Sequence, residues 1–172
     1  YPGRVAALSF LSLEAQVKAD GATWLDRQLL AKEPTPLRGD RFGAASSAAL
    51  RQRQDHLVER GLADRNDQTV RYQRNLLRLL RRQELAAVGE KLAQEMRLDF
   101  VETQDGSRIE GVYRRSVHLA SGKFAVIEKS KEFTLVPWRP VLDRQRGKFV
   151  GGVMRGSSAS FEFAKKRGIG IG

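Results

Sequence analysis

Hydrophobic spacing changes once along the chain, at about Leu98: helical recurrence before it gives way to short period-two runs after it. The first half reads as follows. Ser12 caps a short helix to about Ala19, and Gly21 supplies a left-handed stop. Thr23-Trp24-Leu25-Asp26 is a capping box opening a second helix to about Leu30, with Trp24 as a core anchor. Lys32 to Gly43, with Pro34, Pro36 and Gly39, is a loop. Ala44 to Arg60 is a helix with Leu50, Leu57 and Val58 on its apolar stripe and Gly61 as its C-cap. Residues 62–72 then form a hairpin turning at Asn66-Asp67. A helix ending in HLVERGL before a polar-tipped hairpin resembles a winged helix-turn-helix entering its wing, though helix-then-hairpin is common in α+β proteins generally. Gln73 to Met96 is the longest helical pattern and reads as the connector to the second half.

The second half is a series of strands bounded by Gly, Ser and Pro. Leu98 to Glu102 is a short first strand. In the next, Ile109, Tyr113, Val117 and Leu119 share one face, while Glu110, Arg114, Ser116 and His118 share the other. Phe124 to Ile127 and Phe133 to Val136 are apolar on both faces and belong in the middle of a sheet. Pro140 starts a single helical turn, and Gly151-Gly152 marks a corner or bulge. The fold class expected is α+β: a helical part over residues 1–97, with the winged-helix-like hairpin near 62–72, and over 98–172 a small β-barrel of the SH3-like or OB-like kind ending in a basic tail.

Charge changes this picture by giving the second half a partner. The net charge is +11, and from Arg139 onwards 8 basic residues face only 2 acidic ones. Such an excess attracts nucleic acid, acidic protein or anionic lipid. The candidate nucleic-acid contacts are Arg74 and Arg78 along the connector helix, where they form a stripe with Arg81 or Arg82, and Arg114, Arg115, Lys123, Arg139, Arg144, Arg146, Lys148 and Arg155 in the β half. Trp138 is placed either to stack a base or to plug the barrel end. No run approaches the length of a membrane span, so no membrane insertion is expected. The absence of cysteine removes disulfides and thiolate zinc sites and suits the cytoplasm. The chain opens Tyr1-Pro2-Gly3 without a starting Met, which suggests the end piece of a longer polypeptide.

GATWLDRQL (21–29), RRQELAAVGEKLA (81–93) and, above all, LASGKFAVIE and LVPWRPVL within residues 111–168 resemble the C-terminal domain of bacterial conjugative relaxases. The resemblance spans nearly the whole chain, but its motifs are not catalytic ones. Such a resemblance implies plasmid mobilisation through type IV secretion, with the nicking chemistry in an N-terminal nuclease domain that uses a tyrosine nucleophile and a histidine-bound metal. None of that set is expected here. His56 and His118 are the only histidines, and Tyr1, Tyr72 and Tyr113 have no histidine pair near them in sequence. No phosphate-cradling P-loop or GxSxG elbow occurs either. Converging carboxylates such as Glu110, Glu128 and Glu132 are the one enzymatic alternative.

The expectation is therefore a non-enzymatic accessory domain with no cofactor and no metal, binding DNA through phosphates beside the nuclease domain. A second reading is a module recognised by the coupling protein or secretion machinery through Lys165, Lys166 and Arg167. A third is a scaffold that only positions the nuclease domain.

Overall fold

The structure is a computed structural model and describes residues 11–31, 41–67 and 69–162. The chain divides into two compact units, residues 1–84 and 85–172. The expected loop falls almost wholly on residues 32–40, outside the described residues, as do Lys165, Lys166 and Arg167.

The first unit is built on short helices stopped by local chemistry. In α1 (Leu13–Val17) the Ser12 hydroxyl accepts from the Ala15 N–H at 3.1 Å. The helix ends at Lys18 rather than near Ala19, and Gly21 is not in the left-handed region. α2 (Trp24–Leu30) carries the full reciprocal capping box between Thr23 and Asp26. α3 (Arg41–Glu59) begins earlier than its apolar stripe indicates. Beyond it Gly61, at φ +76°, donates to Val58 O, and Leu62 donates to Leu57 O, closing the helix with a Schellman turn. The hairpin follows as β1 (Ala63–Asn66) and β2 (Thr69–Tyr72), held to α3 by Gln54 on the Tyr72 hydroxyl and by Arg65 on Asp55. Apolar side chains gather in two clusters: Val17, Trp24, Leu25 and Ala49 in one, Leu57, Leu62, Leu76 and Leu80 among the other.

α4 (Leu76–Met96) passes from the first unit into the second. It starts three residues later than its pattern predicts, because Asn75 takes φ +61° in a turn. Arg74 therefore lies before the helix, and the expected stripe of Arg74, Arg78 and Arg81 or Arg82 along one helical face is not formed.

The second unit is a six-stranded sheet in the order β3-β6-β5-β4-β7-β8, comprising β3 (Asp99–Phe100), β4 (Arg108–Leu119), β5 (Gly122–Lys129), β6 (Glu132–Pro137), β7 (Phe149–Arg155) and β8 (Ser158–Glu162). All neighbours are antiparallel except β3 and β6. The sheet is therefore mixed, and among the described residues it stays open. No ladder joins β8 to β3 or β6, so the expected closed barrel is not found. The doubly apolar strands are central, as their composition requires: β5 lies between β4 and β6. One face buries Ile109, Tyr113, Ala125, Ile127, Val136, Val150 and Met154, together with Leu142 from the 3₁₀ turn Pro140–Leu142. The other buries Val126, Phe133 and Leu135 against Leu85, Val88 and Leu92 of α4. Among the described residues no helix is long and apolar enough to cross a membrane.

Two local readings change. Gly151 and Gly152 sit inside the regular pairing of β7 and form neither corner nor bulge. The irregularity lies instead in β4, where Tyr113 pairs with Ile127 and Arg115 with Val126, so that Arg114 is the extra residue of a bulge. Faces alternate in step along a strand, so this extra residue reverses the parity of everything after it. Val117 consequently packs with the α4 cluster and not with Ile109 and Tyr113.

Candidate nucleic-acid interface

The bulge in β4 organises the basic side chains around it. Cross-strand partners share a face, so Phe149, Val112 and Glu128 form one row across β7, β4 and β5. Val126 lies two residues from Glu128 and on the same face, and Arg115 is its partner; the bulge has thus turned Arg115 onto the face that carries Phe149. Arg114, at the bulge itself, is exposed and pairs with Glu128 at 2.7 Å.

The segment before β7 is laced to the same point. Tyr113 N–H donates to Lys148 O at 3.0 Å, and Gly147 N–H donates to Tyr113 O at 2.7 Å. The Arg146 guanidinium donates through Nε to Arg114 O at 2.9 Å. Arg144 stands on this segment at φ +72°, and it, Arg146 and Lys148 are all exposed. Five cations, Arg114, Arg115, Arg144, Arg146 and Lys148, thus collect at one bend of the sheet. The acids nearest are Glu128, engaged by Arg114, Glu110, engaged by Lys129 and Arg108, and the exposed Asp143 and Glu162, the last paired with Gly151 in the row next to Phe149. Among the described residues Arg115, Arg144 and Lys148 make no side-chain ion pair.

The aromatic residue at this place is Phe149. It is 61% exposed, more than any other large hydrophobic residue described, and is the first residue of its strand. Sequence reasoning passed it over because KFVGGVMR reads as an ordinary strand; the available signal was an aromatic directly following Lys148 in a basic segment. Trp138 is engaged elsewhere. Its indole N–H donates to the Tyr113 hydroxyl at 3.0 Å, its ring lies 3.6 Å beneath Lys123 Nζ, and it packs against the core cluster.

Arg139 and Arg155 form a second group. Arg139 donates to the Ser158 hydroxyl at 3.2 Å, and Ser158 pairs with Arg155 at the β7–β8 turn. This pair sits at the opposite end of β7 from Phe149, about 20 Å away at the usual strand rise. Arg74 and Arg78 are exposed and belong to the first unit. Burial, and then the nearby Arg78, lowers the pKa of Arg81, which is half-buried.

A cavity of about 320 Å³ lies at the strand ends, lined by Val101, Arg108, Ile109, Glu110, Lys129 and Thr134 among others. Glu110 is hydrogen-bonded there to Lys129 and to Arg108. The Lys129 hydrogen bond and charge, followed by Arg108, hold the Glu110 carboxyl below the usual carboxylate range, the direction opposite to that of a proton donor. Among the described residues no group of three His, Asp or Glu side chains is arranged to hold a metal ion.

The fold is α+β, with an open mixed sheet that carries exposed cations at the β4 bulge and in the turn before β7, next to the exposed Phe149. The chain belongs to the family described as a protein of unknown function, DUF3363, whose model matches residues 2–170. Comparison with curated proteins and with solved structures found no match.

Proposed function

We propose that this chain is a non-catalytic, cytoplasmic accessory domain of a conjugative relaxase that holds DNA during plasmid transfer, mainly through phosphates, beside a separate nuclease domain. The observation that carries this reading is the gathering of Arg114, Arg115, Arg144, Arg146 and Lys148 at the β4 bulge with few acids among them. The resemblance of residues 111–168 to the relaxase C-terminal domain supplies the biological setting. Guanidinium and ammonium groups on exposed backbone turns suit phosphate oxygens, and little Asn or Gln chemistry stands beside them to read base edges.

Fluorescence anisotropy with single-stranded and duplex oligonucleotides at two salt concentrations tests the reading. If roughly 4 cations neutralise phosphates, log affinity falls against log salt with a slope of about −3 for single strands and about −4 for duplex. The double reversal R144E/K148E should weaken binding to unrelated sequences alike and flatten the slope. Absence of binding at low salt, or a slope that the double reversal leaves unchanged, would remove the proposal.

A further inference from the structure

We infer that the surface around Phe149 is a stacking platform for an unpaired base, so that the occupant is single-stranded nucleic acid; this inference rests on the nucleic-acid reading above. A large apolar ring left 61% exposed at the first residue of a strand is an unsatisfied feature of the fold. Its cross-strand neighbour Val112 is half-buried and offers a flat apolar flank on the same face. Around this small patch stand Arg115 on the same face, Arg114 at the bulge, Lys148 as the preceding residue, and Arg146, tied to the Arg114 carbonyl.

An occupant must present a π-face to Phe149 and negative charge to the cations on the adjoining strand and turn. A single strand does both, since each base has a stacking face and each sugar is followed by a phosphate. A duplex meets the cations but keeps its bases stacked on one another and paired. A second copy of this chain would bring the same cations against themselves. A protein interface core is ordinarily depleted of charge, whereas charge stands beside this aromatic.

The experiment uses the whole chain with three fluorescent probes of equal length: oligothymidylate, an abasic strand with the same phosphates, and a blunt duplex. The unmodified protein should bind oligothymidylate about tenfold or more tighter than the abasic strand. F149A should cost oligothymidylate affinity about 5- to 100-fold while leaving the abasic strand and duplex within about twofold. F149W should retain oligothymidylate binding. The ring is exposed, so folding of the variants is expected and is checked by thermal melts; the abasic comparison needs no variant at all. Equal affinity for thymidylate and abasic strands, or an equal loss for all three probes in F149A, would overturn the stacking platform while leaving phosphate binding in place. No binding by any probe at low salt would overturn the nucleic-acid reading itself. A dimer in sedimentation velocity that F149A abolishes would assign the ring to self-association and overturn the inference.

Discussion

Arg53 is fully buried, and its guanidinium is completely used: Nε and Nη2 donate to the two Asp26 carboxylate oxygens, Nη1 to Val17 O and Ala19 O, and Nη2 also to Gly21 O. This one side chain ties α3 to the ends of α1 and the start of α2, where short helices would otherwise leave carbonyls unpaired. The carboxylate it meets also accepts from the Thr23 N–H and hydroxyl, so the capping box and the ion pair share Asp26. Removing one partner strands the other; R53M or D26L alone should destabilise the protein by about 3–5 kcal/mol in urea melts, and the double variant by clearly less than the sum. One turn further along, His56 has a lowered pKa, through burial first and the charge of Arg53 second, and its Nε2 is buried with no hydrogen-bond partner among the described residues. The folded state therefore takes up a proton on this imidazole less readily than the unfolded state, which does so as pH falls through about 6.5. Unfolding stability should drop as pH is lowered from 7 towards 5.5, and H56N should flatten that dependence; an identical pH profile in the variant would show that other groups carry it. The capping box is legible in the sequence because its partners lie three residues apart. The Arg53–Asp26 pair spans 27 positions, and although Arg53 falls on the apolar stripe between Leu50 and Leu57, nothing local names the carboxylate that makes its burial tolerable.

The elements themselves were legible wherever a local rule dictates them, and obscure where a distant strand does. Gly61 ends α3, the hairpin turns where its polar residues indicate, and Pro140 opens the 3₁₀ turn, all for reasons contained within five or six residues. The bulge at Tyr113-Arg114-Arg115 has no such mark, because an extra residue is defined only against the partner strand. Barrel closure is equally non-local: runs of period two specify strands and faces, while closure depends on tilt and stagger across all of them. Glycines show the same division. Gly89, inside α4, lies against the Phe100 ring, where an added Cβ would come within 2.5 Å. Gly111 takes φ +152°, and a Cβ there would meet Glu128 O at 2.5 Å; at Gly152 it would meet Ser160 O at 2.1 Å. Backbone oxygens cannot rotate away as a side chain does. G152A should therefore push β8 off β7 and G111A should strain the β4–β5 pairing, each lowering stability by about 1–3 kcal/mol. Thermal melts followed in the near ultraviolet check this, and variants melting with the parent would show that the sheet accommodates a methyl group at these positions.

At the scale of the whole molecule, the net +11 is less informative than its division into groups. Composition points to the end of the chain, and of the cations there the described ones divide between the β4 bulge (Arg144, Arg146, Lys148) and the β7–β8 turn (Arg139, Arg155), about 20 Å apart by strand rise. The structure also adds Arg114 and Arg115, from well before Arg139, to the first group. Of these two groups, only the first reaches a short oligonucleotide seated at Phe149. R139E/R155E should accordingly change its affinity only by the weak, salt-screened effect of altered net charge, whereas R115E/K148E should abolish most binding at about 0.15 M salt. Anisotropy with a short and a long probe, each at two salt concentrations, separates these outcomes. Equal losses in both pairs of reversals would mean that the protein attracts DNA as a diffuse positive body, with no seat at the bulge. The rival reading, in which Lys165 to Arg167 address the chain to a secretion machinery, makes the complementary forecast. Deleting residues 165–172 would stop conjugative transfer while sparing oligonucleotide binding. If that deletion abolishes transfer and R115E/K148E leaves both transfer and binding intact, the cations at the bulge are only a solvated surface, and the function belongs to the tail.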